Sequence, residues 1–378
     1  MVFLDNASTT KICEQALTTY NEYAQNFYYN PSALYLPSLN VSKDINNARQ
    51  EILKPLGGLS GDKFVFTSGA TESNNTIIRS CARNKNAKML FSMGEHPSVY
   101  NVALELQSAG YNVAFIKLNR QGTIDMQDLA RLIDEDTAFV SFMHVNNETG
   151  AINDVKSITS FIKMKSKALV HCDGVQAFLK LNINVTDLGI DFYTISAHKF
   201  HGPKGVGGYF VKHGVSIKPM IVGGGQEANL RSGTENVPAI MGMTAAVKYM
   251  LPRVNDNLQN ASELSSYLAD EVNKFGYSLT LEHKSPYINV LSFSGVRAET
   301  LLHMLEDKGY LVGNGSACSS RHRDNRVLSA VGLDSKEIEG SIRVSFCDTN
   351  TKTEVMEFVR ILKECVDTYI DKTKGGNK

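Results

Sequence analysis

Lys199 has the setting in this sequence that most strongly indicates chemistry. It follows the apolar run DFYTIS (191–196), which predicts a buried strand, and it precedes a glycine-rich segment that ends at Gly208. A lysine in a partly buried, charge-rich site has a lowered pKa, so its amine can act as a nucleophile. The structural alternative is a lysine held in an ion pair at a strand end, and a lysine taken alone favours that alternative.

A second polar position follows the preceding predicted strand. The run ALVHCD (168–173) ends at Asp173, and Gln176 comes three residues later. A carboxylate at the end of a buried strand requires a cation or hydrogen-bond donors. The donors can belong to a helix cap, or the cation can be the protonated ring nitrogen of pyridoxal phosphate.

A third position is the predicted strand-to-helix turn formed by Gly69, Ala70 and Thr71. Free backbone N–H groups at a helix start bind phosphate, although a Ser or Thr cap gives the same pattern. Ligands of open parallel sheets bind at the carboxyl ends of the strands. The turn, the acid and the lysine therefore predict a pyridoxal phosphate site, with separate residues for the phosphate, the ring nitrogen and the reactive carbon.

Four further residues are candidates for the same site. His96 precedes a predicted helix and Asn146 follows a predicted strand, and for both a structural hydrogen-bonding role is equally open. Cys318 lies in a loop rich in Gly, Ser and Arg, which predicts exposure and a stabilised thiolate; the alternative is a solvated basic loop. Arg343 lies in a predicted strand and is suited either to binding a carboxylate through two hydrogen bonds or to a structural ion pair.

The elements that must position these residues follow from the order of apolar runs. Short runs alternate with helical patterns up to about residue 210, which predicts βαβ units, a mostly parallel sheet and helices on both of its faces. One long helix is predicted at 238–275 and a smaller α+β region after it, onto which the N-terminal residues fold back. The predicted fold is therefore α/β, with a large domain at 14–250 and a small α+β domain at 1–13 and 251–378.

The bulk composition excludes several classes of protein. Lys plus Arg and Asp plus Glu are both 39, so the formal net charge is zero and no nucleic-acid-binding surface is indicated. No apolar run is long enough to cross a bilayer, and the N-terminus lacks the features of a signal peptide. We therefore expect a cytosolic protein without a membrane partner, whose 6 scattered cysteines are free thiols.

These motifs, in this order, resemble those of the cysteine desulfurases, in the class V branch of the fold-type I pyridoxal phosphate enzymes. The resemblance covers nearly the whole chain, and its Cys318 segment is similar to the branch with a long cysteine loop. The matching segments are LDNAST (4–9), NPSA (30–33), FTSGATESNN (66–75), EHPSV (95–99), HVNNETG (144–150), HCDGVQ (171–176), SAHKFHGPKG (196–205), GGGQEANLRSGTENV (223–237), GSACSS (315–320) and SIRVSF (341–346).

The resemblance implies a role for each candidate at the cofactor ring. Lys199 would be the covalent attachment point of pyridoxal phosphate, Asp173 the partner of its ring nitrogen and Gln176 the partner of its phenolic oxygen. His96 would stack on the ring and move protons. Asn146 would contact both cofactor and substrate.

The resemblance also implies how phosphate, substrate and sulfur are bound. Thr234 would reach the phosphate from the second subunit of a homodimer, Arg343 would bind the substrate carboxylate, and Cys318 would accept the sulfur. The remaining implied phosphate ligands are Ala70, Thr71, Ser196 and His198.

The implied activity is the conversion of L-cysteine to L-alanine, with a persulfide left on Cys318. An iron–sulfur scaffold or a tRNA-thiolation enzyme would be the sulfur-acceptor protein. No resident metal is implied, and Cys318 is the candidate for a transient iron–sulfur ligand. The alternatives are a selenocysteine lyase or a class V aminotransferase, which share the cofactor site, and a non-enzymatic sulfur-relay protein, which needs neither Lys199 nor Asp173.

Overall fold

The computed structural model describes residues 1–314 and 326–375. Within these residues the strands are β1 (Val2–Leu4), β2 (Lys63–Thr67), β3 (Lys88–Ser92), β4 (Val113–Ile116), β5 (Thr137–Met143), β6 (Leu169–Asp173), β7 (Phe192–Ser196), β8 (Gly207–Val211), β9 (Tyr277–Ser278), β10 (Ile288–Ser292), β11 (Tyr310–Asn314) and β12 (Ser341–Ser345). The α-helices are α1 (Glu14–Asn26), α2 (Leu36–Leu56), α3 (Ala70–Cys81), α4 (Pro97–Ser108), α5 (Met126–Leu132), α6 (Val155–Lys165), α7 (Val185–Leu188), α8 (Val237–Met250), α9 (Val254–Val272), α10 (Ala298–Asp307), α11 (Arg326–Ala330), α12 (Ser335–Glu339) and α13 (Lys352–Gly375).

The larger sheet has seven strands in the order β2-β8-β7-β6-β5-β3-β4. The neighbours from β7 to β4 are all parallel, and β8 alone runs antiparallel to both of its neighbours. The predicted mostly parallel sheet is therefore confirmed. The reversal of β8 has a local cause: the connection from β7 is too short for the crossover that parallel strands require, and this short connection carries Lys199.

Both faces of the larger sheet are covered by apolar packing. Phe192 and Tyr193 are successive residues of β7, and they belong to different buried clusters. Successive strand residues point to opposite faces, so a core lies on each side. The near-continuous apolar runs in the sequence arise from this double burial.

The smaller sheet has five strands in the order β1-β11-β12-β10-β9. β1 pairs in parallel with β11, and the other pairs are antiparallel. The N-terminal residues thus join the C-terminal part of the chain. The boundaries of the two predicted domains stay a prediction.

The segment predicted as one long helix at 238–275 forms two helices instead. α8 ends at Met250, a 3-10 turn spans Leu251–Arg253, and α9 begins at Val254. Pro252 lies in that turn, and a proline has no N–H to continue the helical hydrogen bonds. The prediction of a single helix was therefore wrong, because the α-helix is interrupted at this proline.

Two further findings concern the described part of the chain. None of its helices is both long and apolar enough to span a membrane. The described cysteines, Cys13, Cys81, Cys172, Cys347 and Cys365, are free thiols.

Candidate active site

One cavity of about 710 Å³ lies at the carboxyl ends of the central strands. Asp173 at the end of β6 and Ser196 at the end of β7 line one wall, and Arg343 of the smaller sheet lines another. The N-terminal residues Asp5 to Thr9 contribute to the lining as well. The cavity therefore collects side chains from both sheets and from the start of the chain.

Asp173 is the buried acid of the cavity, with only 2% of its surface exposed. Its Oδ2 accepts a hydrogen bond from Asn74 Nδ2 at 3.0 Å, and its Oδ1 accepts one from the backbone N–H of Val175 at 3.0 Å. Both of these donors are neutral. A carboxylate held in this way is suited to a cationic group that enters the cavity, such as a protonated ring nitrogen.

His96 caps the start of α4 and lines the cavity. Its Nδ1 accepts a hydrogen bond from the backbone N–H of Ser98 at 3.1 Å, so the proton of the neutral ring lies on Nε2. Burial lowers the pKa of His96, Asp173 opposes this, and Lys199 lowers it further. His96 is therefore a neutral imidazole near pH 7.

Glu95, the residue before His96, is mainly uncharged near neutral pH. Burial raises the pKa of Glu95 to about 8, which exceeds the opposing effect of the hydrogen bond from Ser141. Ser141 Oγ donates to Glu95 Oε1 at 2.6 Å. The protonated Glu95 does not compete with Asp173 for a cation.

Lys199 lies in a 3-10 turn directly after β7. Its Nζ donates to the carbonyl oxygens of Ala7 at 2.6 Å and Ser8 at 2.8 Å. The adjacent residue contacts the same N-terminal segment, because His198 Nδ1 lies 3.1 Å from Thr9 Oγ1. The N-terminal segment thus fixes the lysine amine at the cavity wall.

The start of α3 forms the far end of the cavity. Gly69 has a φ of +153°, a value that residues other than glycine rarely adopt. A Cβ atom added to Gly207 of β8 would lie only 2.9 Å from the Cα of Gly69. The two glycines allow β8 to approach the turn closely. The first backbone N–H groups of α3 therefore border a space that a side chain at Gly207 would occupy. Free N–H groups at a helix start beside such a space suit a phosphate.

His198 contributes to this end as a neutral ring. Its pKa is lowered to about 4, chiefly by burial and also by the nearby charges of Lys199, Lys204 and Lys180. Lys204 also lines the cavity and supplies a positive charge there.

Arg343 is 8% exposed, and its guanidinium is held by three groups. Nη2 donates to Asp5 Oδ1 at 2.9 Å and to Ser8 Oγ at 2.7 Å, and Nη1 donates to the carbonyl oxygen of Asn147 at 2.7 Å. Its Nε has no hydrogen-bond partner among the described residues. The side chain is both a structural ion-pair member and a cation at the cavity.

Most of the sequence-predicted site residues line this one cavity. They are Ala70, Thr71, His96, Asp173, Gln176, Ser196, His198, Lys199 and Arg343. Cys318 lies outside the described residues. Thr234 is exposed and lines a smaller cavity, which shares Ser68 and Gly205 with the main one.

Asn146 does not line the cavity, whereas Asn147 does. The Oδ1 of Asn146 accepts from the backbone N–H groups of Glu148 and Thr149 at 2.9 Å, and its Nδ2 donates to Gly94 O at 3.0 Å. These bonds hold Asn146 inside its own turn. The structure therefore has Asn147, and not Asn146, at the cavity wall.

Sequence reasoning missed two residues that support the site. Asn74 binds Asp173, and it lies one helical turn after Ala70, a spacing that signals a shared helix face. Lys180 binds Gln176 from four residues further along the chain. Neither residue has a sequence pattern that separates it from an ordinary structural polar residue.

A mostly parallel α/β sheet with a lysine, a buried aspartate and a glycine-led helix start at its carboxyl edge defines the class of fold-type I transferases. The chain belongs to the aminotransferase class V family, whose family model matches residues 2–358. This is a class of pyridoxal phosphate enzymes, and the cavity residues described above fit that cofactor.

The similar proteins extend over the full chain. A protein of Archaeoglobus fulgidus named "Cysteine desulfurase IscS 1" is 35% identical, covering 97% of this chain and 97% of its own. A protein of Lactobacillus delbrueckii named "NifS/IcsS protein homolog" is 34% identical, covering 96% and 97%. A solved structure named "NIFS-LIKE PROTEIN" has a TM-score of 0.92 at 33% identity, covering 97% of this chain and 99% of its own.

Proposed function

We propose that the protein is a cysteine desulfurase, which binds pyridoxal phosphate and converts L-cysteine to L-alanine while transferring the sulfur to Cys318. One observation carries the proposal: Lys199, Asp173 and Arg343 line the same cavity, although they come from distant parts of the chain. The relatives named as cysteine desulfurases, at 31–35% identity over nearly the whole chain, support it.

The cofactor, when bound, supplies an electron sink that stabilises negative charge on the substrate Cα. Asp173 would hold the ring nitrogen in its protonated form, and Gln176 would donate to the phenolic oxygen. Lys199 would provide the attachment amine and would then remove the proton from the substrate Cα. His96, with its proton on Nε2, would lie against the ring and move a proton on the cavity side.

Different residues of the cavity lining would hold the phosphate and the substrate carboxylate. The phosphate would be held at the start of α3 by Ala70 and Thr71, together with Ser196 and His198. Arg343 binds the substrate carboxylate, and Asn147 takes the amide role that the sequence assigned to Asn146. A solved structure described as "SspA in complex with cysteine" is similar in fold, with a TM-score of 0.80 at 26% identity.

Sulfur transfer uses Cys318 as a thiolate. It attacks the substrate sulfur, and an S–S bond forms as the C–S bond breaks. The electron pair of the C–S bond stays with the substrate carbon, and protonation of that carbon leads to alanine. The resulting persulfide passes to an acceptor protein, either an iron–sulfur scaffold, to which Cys318 can also be a transient ligand, or a tRNA-thiolation enzyme. We further propose a homodimer, in which Thr234 serves the phosphate site of the partner; a cytosolic location stays a prediction.

The test is turnover of L-cysteine by the purified protein loaded with pyridoxal phosphate. Sulfide, in the presence of a thiol reductant, and alanine should appear in equal amounts, and Lys199→Ala should abolish both. Release of pyruvate, or transfer of the amino group to a keto acid without sulfide, would instead establish a different member of the class. L-selenocysteine as the better substrate would favour a selenocysteine lyase.

A protein that binds no pyridoxal phosphate would contradict the proposal directly. It would leave the non-enzymatic sulfur-relay alternative. The absorbance of the purified protein above 300 nm is read before any assay, with Lys199→Ala as the control that lacks the attachment amine.

A further inference from the structure

Lys180 is a buried amine that the proposed mechanism does not use. It lies in the turn after β6, and only 5% of its surface is exposed. Among the described residues no carboxylate forms an ion pair with it. Its Nζ donates to Gln176 Oε1 at 3.1 Å and lies 5.8 Å from the centre of the Tyr287 ring.

Two hydrogen bonds decide which way the Gln176 amide points. The amine of Lys180 has N–H groups to donate whether it is charged or neutral, and the amide oxygen of Gln176 is its acceptor. The Nε2 of Gln176 accordingly donates to the carbonyl oxygen of Ala7 at 2.9 Å. The same carbonyl accepts the Nζ of Lys199 at 2.6 Å, so three hydrogen bonds connect the two lysines.

We propose that Lys180 is a positioning residue, which holds the donor end of the Gln176 amide toward the cavity so that it binds the phenolic oxygen of the cofactor. The inference rests on the proposed function, because it assigns Lys180 a role toward pyridoxal phosphate. Lys180 itself does not line the cavity and acts through Gln176.

The cost of burying this amine supports a functional role. The pKa of Lys180 is lowered to about 7, chiefly by burial and also by the charges of Lys199 and Arg343, while Cys347 opposes them. A buried amine without a carboxylate partner weakens the fold, and where it also contacts a residue that lines a cavity it is a candidate for a functional role. The ionisable groups around Lys180 are Lys199, Arg343, Cys347, His198 and Tyr287.

The experiment follows the absorption bands of the bound cofactor as the pH is varied. An N–H donor to the phenolic oxygen stabilises its negative charge and so favours loss of the neighbouring proton. Lys180→Met removes the amine and with it one of the two hydrogen bonds that orient the amide. We expect the pH midpoint of the bands to rise by about 0.5–1 pH unit, the size expected for one weakened hydrogen bond.

A double-mutant cycle with Gln176→Ala separates positioning from a general effect of charge. If Lys180 acts through Gln176, the double variant has the midpoint of Gln176→Ala alone. If Lys180→Met adds its full shift in the Gln176→Ala background, or gives no shift in the wild-type background, the inference is overturned.

Lys284 provides the matched control. It is a half-buried amine whose pKa burial lowers to about 8, and its Nζ donates to Asn289 Oδ1 at 2.9 Å, outside the cavity lining. Lys284→Met should leave the midpoint unchanged; an equal shift in that variant would also overturn the inference.

Folding of each variant is checked by circular dichroism. If Lys180→Met does not fold, Lys180→Ala carries the same test, because it removes the amine and leaves space for water. A wild-type protein that binds no pyridoxal phosphate contradicts the proposed function. A wild-type protein that binds it normally, with unchanged midpoints in the Lys180 variants, contradicts only this inference.

Discussion

At the scale of single residues, the site depends on charges that are held by more than one partner. Arg343 binds Asp5 and Ser8 with one nitrogen and the carbonyl of Asn147 with another. Its guanidinium therefore joins the N-terminal segment to the cavity, in addition to the carboxylate-binding role that we propose. The sequence left a structural ion pair and carboxylate binding as alternative roles for Arg343. In the structure the two roles are compatible.

Arg343→Lys tests the carboxylate-binding role while it keeps the positive charge. A lysine cannot form two parallel hydrogen bonds to a carboxylate. We expect KM for L-cysteine to rise by about tenfold or more, with a smaller change in kcat, because the lost interaction is one charge-assisted hydrogen bond. Steady-state kinetics of alanine formation provides the measurement.

Arg49→Lys is the control for Arg343→Lys. Arg49 forms a two-point ion pair with Glu227 at 2.8 and 2.9 Å, and neither residue lines the main cavity. It should lower the thermal midpoint without changing KM. An unchanged KM in Arg343→Lys would identify Arg343 as a purely structural arginine.

At the scale of elements, the site lies where turns from both sheets meet. Asp348, just after β12, lies 3.0 Å from Nε2 of His201, in the turn after β7. Its Oδ2 accepts the hydroxyl of Tyr249 on α8 at 2.9 Å. One carboxylate thus connects the end of the smaller sheet to the turn that carries Lys199.

Asp348→Asn should destabilise the fold at neutral pH by about 1–3 kcal/mol, because buried partners lose a charged acceptor. Burial raises the pKa of Asp348, but the nearby His201 and the hydrogen bond from Tyr249 outweigh burial and lower it below its usual value. A carboxyl whose folded pKa is lowered contributes stability above its unfolded pKa, and that stability is lost as pH falls through the folded pKa.

Urea unfolding at pH 7 and at pH 3 measures this contribution. The difference in unfolding free energy between wild type and Asp348→Asn should be larger at pH 7 than at pH 3, because the loss occurs below the unfolded pKa of the carboxyl. Tyr249→Phe removes one of the two contacts and should give a smaller loss at pH 7. Equal losses from Asp348→Asn at both pH values would show that the carboxylate charge does not matter.

At the scale of the whole molecule, Thr234 is a proposed site residue that does not line the main cavity of its own chain. It is exposed, and the small cavity that it lines shares Ser68 and Gly205 with the main cavity. An exposed threonine beside a phosphate site is the geometry that the proposed homodimer requires if each site takes one residue from its partner.

Complementation between two inactive variants tests the shared site. Thr234→Asp places a negative charge against the phosphate, and Lys199→Ala removes the attachment amine. In a mixed dimer, one site keeps both intact residues. Co-expression with two affinity tags isolates the mixed dimer, which should have about one half of wild-type activity, whereas an unfractionated mixture of randomly formed dimers should have about one quarter.

The control pair is Asp173→Ala with Lys199→Ala. Both of these residues line the same cavity of one chain, so no mixed dimer has an intact site. If the purified mixed dimers of Thr234→Asp and Lys199→Ala remain inactive, Thr234 does not act across the interface.

The sequence by itself determined the parts of this protein that depend on neighbours along the chain. Apolar runs of strand length predicted the strands of the larger sheet, because their residues are buried on both faces. Polar residues directly after those runs, such as Asp173 and Lys199, predicted the carboxyl-edge site, since parallel strands end at one edge. The sequence analysis missed the interruption of the helix at Pro252, although a proline is itself a local signal of such an interruption.

Only the tertiary structure decided the contacts between distant segments. Lys199 binds Ala7 across 192 residues, and Arg343 binds Asp5 across 338. The choice of Asn147 over Asn146 depends on which of two adjacent amides closes the turn and which faces the cavity. Periodicity and residue type report on burial and on near neighbours, whereas these contacts depend on how the N-terminal segment and the two sheets pack together.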